Sequence, residues 1–130
     1  MIALNEVSTP ALAYLGDCVL ELLVREALVL RGLGKAGHLH AAALHYVQAP
    51  AQAAAMERLL PHLTEEEAGI YRRGRNSTHL NIPKHARPAE YRMATGMEVL
   101  FGYLHLKGDS GRLRSLFALA YPAPGEQPPQ

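Results

Sequence analysis

Asp17 and Glu98 are the two residues whose chemistry most needs an explanation. Each sits in a largely apolar stretch, residues 11–28 and 91–106, that reads as a helix buried around much of its circumference. A buried carboxylate without a partner is very costly, so each acid requires a cation. Two carboxylates brought together from two helices make a hard, all-oxygen site of the kind magnesium prefers, with water filling the rest of its shell. An ion held there can activate water against a phosphodiester and stabilise charge on the phosphate oxygens. The residues alone also allow a purely structural account, in which each acid pairs with Arg25 or another nearby arginine. Glu21 reads as an i,i+4 partner of Arg25 rather than as a metal ligand.

The second chemical feature is a concentration of positive charge. The chain has 13 basic and 12 acidic residues in 130, a net charge of +1 that by itself predicts no partner. Between residues 72 and 92, however, Arg72, Arg73, Arg75, Lys84, Arg87 and Arg92 face a single acid, Glu90. A segment with that imbalance fits an anionic partner, and it also fits a solvated loop.

The elements that must position these residues read as all-α, since no segment alternates apolar and polar residues as a half-buried strand would. Ser8-Thr9-Pro10 places a hydroxyl cap before a first-turn proline and starts a helix to about Leu30, ended by Gly32 and Gly34. Helices follow at about Ala36–Gln48 and from Pro50 to near Pro61. Thr64-Glu65-Glu66-Glu67 forms a capping box for a helix that Gly74 stops. A polar, proline-bearing loop spans residues 76–88, a helix spans about Ala89–Leu106, and Asp109 or Ser110 caps a last helix to about Tyr121. One domain over residues 1–121 is expected, with a disordered proline-rich tail at 122–130. In the first helix Leu12, Leu15, Val19, Leu22 and Leu23 share the core face, and Tyr14, Asp17, Glu21 and Arg25 lie opposite. In the Ala89–Leu106 helix Met93, Met97, Leu100, Phe101 and Leu104 form the core stripe, and Tyr91, Thr95, Glu98 and Gly102 line the other side.

Other reactive residue types carry less. Cys18 is the sole cysteine, so no disulfide framework and no CxxC zinc pattern exist, and the reducing cytoplasm is the expected compartment. Cys18 reads as a small packing residue. Tyr14 and Tyr91 read as packing aromatics. None of the seven histidines pairs at i,i+4, so a helical zinc site is not expected. The N-terminus lacks a signal-peptide pattern and no apolar run is long enough to span a membrane.

Several blocks together carry a resemblance. Leu15-Gly16-Asp17-Cys18-Val19-Leu20-Glu21 resembles the LGDAVLE signature of the ribonuclease III family, and TGMEVLFGYL at residues 95–104 resembles that family's second acidic helix. AYLGD, VRE, LTEEE, RRGRN, PK and YRMATGMEVLFGYLHL, in order over residues 9–120, are most similar to the Mini-ribonuclease III branch, which lacks the double-stranded-RNA-binding domain.

The resemblance implies an all-helical ribonuclease III-type endonuclease fold and an obligate homodimer. It implies magnesium-dependent hydrolysis of double-stranded RNA, with manganese able to substitute, leaving a 5′-phosphate and a 3′-hydroxyl. Asp17 and Glu98 take the positions of two of the family's four acidic ligands. Ala13 and Thr95 stand where the larger enzymes carry the other two, a loss the mini branch shares. One firmly held magnesium is therefore expected, and Thr95 becomes a candidate for orienting water. Arg72, Arg73, Arg75, Asn76 and Lys84 become candidate RNA contacts. A ribosomal RNA precursor (the 23S precursor) is the implied substrate, with a ribosomal protein or the ribosome as a further partner. The alternative is a catalytically silent RNA-binding dimer in ribosome assembly. A helical interaction protein without a nucleic-acid partner is a second alternative.

Overall fold

In a computed structural model, residues 1–78 and 80–123 are described, and they form six helices with no strand among them. The helices are α1 (Thr9–Leu30), α2 (Ala36–Val47), α3 (Ala49–Leu59), α4 (Glu65–Arg75), α5 (Pro88–Lys107) and α6 (Ser110–Ala120). Their ends follow from local chemistry. Ser8 Oγ accepts from the Ala11 amide and Pro10 lies in the first turn of α1. Thr64 and Glu67 form a reciprocal capping box at α4, Gly108 closes α5 with φ 80°, and Asp109 caps α6. Residues 124–130, most of the tail expected to be disordered, lie outside the described residues.

The architecture is built around α5, which packs against α1, α3, α4 and α6. Every α5 residue from Ala94 to Leu104 is buried except Glu98 and Tyr103, which are partly exposed. Leu20, Met56, Leu59, Met97, Leu100, Phe101 and Leu116 have essentially no exposure and form the centre of the core. α6 is fastened at both ends. Arg112 donates to both Glu67 carboxylate oxygens at 2.8 and 2.7 Å and to the His62 carbonyl at 2.7 Å. At the other end, Arg58 donates to the Ala120 carbonyl and the Tyr121 hydroxyl donates to the Tyr46 carbonyl. Glu67 is only 5% exposed, so Arg112 and the Thr64 amide are what make its charge tolerable there.

Three glycines let helices meet backbone to backbone. A methyl group on Gly16 would land on the Glu98 carbonyl, and one on Gly102 would land on the Leu12 carbonyl. α1 and α5 therefore cross at closer than ordinary side-chain spacing, just where the two acids reside. Gly74 corrects an expectation: it does not stop α4. The helix continues through it to Arg75, and Gly74 is buried with its vacant side-chain position 2.8 Å from the Gly96 Cα and the Val99 side chain. Its role is contact, not termination.

Two other expectations need correction. Leu22 is 61% exposed and does not belong to the core face of α1, which consists of Leu12, Gly16, Val19, Leu20, Leu23, Val24 and Leu28. Cys18 is exposed as well, and so is not a packing residue within this chain. On the other helix, Thr95 and Gly102 are as buried as the expected stripe, because α1 covers the second side of α5.

Gly16→Ala is expected to lower the unfolding free energy by about 3 kcal/mol or more, since backbone cannot yield as a flexible side chain can. Gly111, which faces open space inside α6, is the control. Gly111→Ala is expected to be neutral or to stabilise by up to about 1 kcal/mol. Urea unfolding of the two variants checks both, and equal midpoints would contradict the close crossing.

Candidate active site

Asp17 projects from the middle of α1 at an exposed position, and Glu98 from the middle of α5 at a partly buried one. The Gly16–Glu98 backbone contact sets the two carbons from which these side chains depart. The Asp17 carboxyl lies close enough to Glu98 to act on its titration. Burial first, then the neighbouring Asp17 carboxyl, push the Glu98 pKa up to about 8. At neutral pH Glu98 therefore mostly holds its proton.

No arginine or lysine pairs with either acid among the described residues. The ion pairs there are Arg25–Glu21, Lys107–Glu66, Arg112–Glu67 and Arg114–Glu26. The first is the expected i,i+4 pair, and it takes Arg25 out of reach as a partner for Asp17. The structural account of the two acids thus loses its named counterion. A third histidine, cysteine or acid does not join them among the described residues. An all-oxygen pair with one exposed member, Asp17, has the donor chemistry that fits a hard divalent ion.

Thr95 lies one turn before Glu98 and is buried. Its hydroxyl donates to the Tyr91 carbonyl at 3.0 Å, so only its acceptor lone pairs are left to offer a water. The basic candidates do not form one cluster. Arg72, Arg73, Asn76 and Lys84 are exposed. Arg73 bonds Thr9 Oγ1 at 3.1 Å, which places it beside the start of α1. Asp17 lies eight residues further along that helix, roughly 12 Å of rise. Arg75 turns the other way: it is half-buried, its guanidinium stands 5.6 Å from the Tyr71 ring centre, and its Nε donates to Asn76. Tyr14 is 86% exposed, which packing within this chain does not explain. Arg92, which sequence reading counted only as charge, makes two backbone contacts considered below. Nothing local to its position announces acceptors that lie 15 and 17 residues away.

The Glu98 proton has a consequence for stability. An unfolded glutamate titrates near 4.5, and the folded one near 8. Between those values the folded state binds more protons, so its stability falls as pH rises. In chelator, Glu98→Gln is expected to lose less unfolding free energy than the parent between about pH 5 and pH 8. Parallel profiles in urea titrations at several pH values would contradict the carboxyl pair.

Comparison with known proteins identifies the family and the fold. The model of the Ribonuclease III domain matches residues 10–109. A protein of Symbiobacterium thermophilum named Mini-ribonuclease 3 is 50% identical over 109 residues, covering 84% of both chains. Proteins with the same name from Enterococcus faecalis and Streptococcus pneumoniae are 47% identical over 82% of both chains, and 42% identical over 89% of this chain and 92% of that one. A crystal structure of a Fusobacterium nucleatum protein superposes with a TM-score of 0.79 at 24% identity, over 88% of this chain and 92% of the other, and so shares the fold. The chain belongs to the ribonuclease III family of endoribonucleases, among the relatives named Mini-ribonuclease 3.

Proposed function

We propose that this endoribonuclease is a magnesium-dependent homodimer that cuts double-stranded RNA, with a ribosomal RNA precursor, the 23S precursor, as its substrate. The observation that carries the reading is the proximity of the Asp17 and Glu98 carboxyl groups without a basic partner among the described residues. Magnesium bound by these two oxygen donors, or manganese in its place, would supply positive charge that polarises an attacking water and stabilises the phosphate. Glu98 releases its proton when a cation arrives, so metal affinity rises with pH up to about 8. Asp17, on the exposed side, faces incoming RNA. Thr95 offers a lone pair to a water beside Glu98. Hydrolysis in this arrangement leaves a 5′-phosphate and a 3′-hydroxyl.

Arg72, Arg73 and Lys84 contact phosphates beside the cut, and Asn76 and Arg75 do so at the end of α4. An RNA duplex is recognised mainly through shape, backbone and 2′-hydroxyl groups, which suits such contacts. Ribosomal protein or the ribosome itself is the partner this substrate implies, and the cytoplasm the compartment. Among the described residues no helix is long and apolar enough to cross a membrane. Dimerisation is supported by the outer face of α1, where Tyr14, Cys18, Leu22 and Val29 are exposed at helical spacing. An apolar stripe of that kind marks a contact surface. Tyr14 on it then has a partner that the single chain lacks.

Asp17→Asn and Glu98→Gln are each expected to slow cleavage of a long RNA duplex by at least ~100-fold, as loss of a transition-state electrostatic contact does, with duplex binding retained. Gel analysis of cleavage and of binding in calcium separates the two effects. Binding without magnesium-dependent cleavage by the parent protein would instead indicate a silent RNA-binding dimer. Lys84→Met is expected to lower the slope of log affinity against log salt by about one, the signature of one lost phosphate contact.

A further inference from the structure

Arg92 has a role that charge alone does not describe. It rises from the second turn of α5 and is half-buried, unlike the exposed Arg72 and Arg73. Its Nη1 donates to the Ser77 carbonyl at 2.9 Å and to the Arg75 carbonyl at 3.4 Å. Those carbonyls belong to the last residue of α4 and to the loop just beyond it. The final carbonyls of a helix have no partner inside it. Those of Arg72 and Gly74 are met by the Asn76 and Ser77 amides. A left-handed glycine often meets the rest, but α4 has none: Asn76 follows with φ −95°. The Arg92 guanidinium takes over that duty from another helix.

We infer that Arg92 is a positioning residue for RNA binding: it sets the direction in which the chain beyond Ser77, with Lys84, leaves α4. The loop is thereby referenced to α5, the helix that carries Glu98 six residues further on, about 9 Å along the axis. The functional half of this inference rests on the proposed duplex-cutting activity; the loop-holding half does not.

The test uses the full chain with Arg92→Met, Lys84→Met and the double variant. Without RNA, trypsin should cut Arg92→Met after Lys84 about tenfold faster than the parent, the effect of losing one charge-assisted hydrogen bond. The melting temperature serves as the control for global unfolding. With duplex RNA, Arg92→Met should raise KM while kcat stays within about twofold, and adding Lys84→Met should cost little more, because residues acting through one another are not additive. An unchanged tryptic rate overturns the inference whether or not the protein cuts RNA. Additive effects on KM also overturn it, since they would make Arg92 an independent phosphate contact. Failure of the parent to bind or cut duplex counts against the proposed function, and the tryptic rate still decides the loop. If Arg92→Met does not fold, Arg92→Lys, with a shorter reach to the same carbonyls, carries both measurements.

Discussion

The contact of the α1 backbone with the α5 backbone at Gly16 and Gly102 is the constraint on which the site depends. Two helices separated by ordinary side chains lie about 8–10 Å apart at their axes, and larger residues at the crossing push them towards the upper end. Here the absence of side chains at the crossing brings Asp17 close enough to Glu98 for its charge to help raise the Glu98 pKa. A second close contact, of Gly74 against Gly96 and Val99, presses α4 onto another side of α5. The basic helix and the acidic pair are thus located relative to one rod, buried over most of its length. A centre built this way owes its geometry to packed backbone, which deforms less readily than long side chains.

The distribution of counterions completes the picture. The fold has arginines and lysines to spare, yet it assigns them to Glu21, Glu26, Glu66 and Glu67. Glu67 is nearly inaccessible and is held by a bidentate arginine. Glu98 is more exposed and has no such partner among the described residues, so its proton is the substitute. Acids in one small domain therefore meet opposite treatments: one is neutralised by an arginine, and the other keeps its proton at neutral pH.

Much of this was legible in residue order, for reasons that are themselves local. Ser8, Thr64 with Glu67, Gly108 and Asp109 mark helix ends because their side chains or backbone freedom act within four residues. Leu22 and Cys18 show the limit. Spacing tells which residues share a face, but α5 chooses which face is covered, and it leaves these two outside. Gly74 carries an ambiguous signal, since the same lack of a side chain serves a helix end and a helix contact; only Gly96 and Val99, more than twenty residues away, decide between them. Asp17 and Glu98 were identifiable as candidates from motif resemblance and from their apolar surroundings. The proton on Glu98 was not, because it arises from enclosure by a neighbouring helix and from an acid 81 residues distant. Arg92 was hidden for the same reason.

That long separation along the polymer has an implication for biosynthesis. Gly16 and Glu98 touch, yet they stand 82 positions apart in the chain. Polypeptide emerges from its N-terminus, and non-local contacts form only after the intervening segment is closed into a loop. α1 must therefore wait, unpaired with its acidic counterpart, until α5 has been synthesised. The two acids thus come together only after α2, α3 and α4 have been made between them.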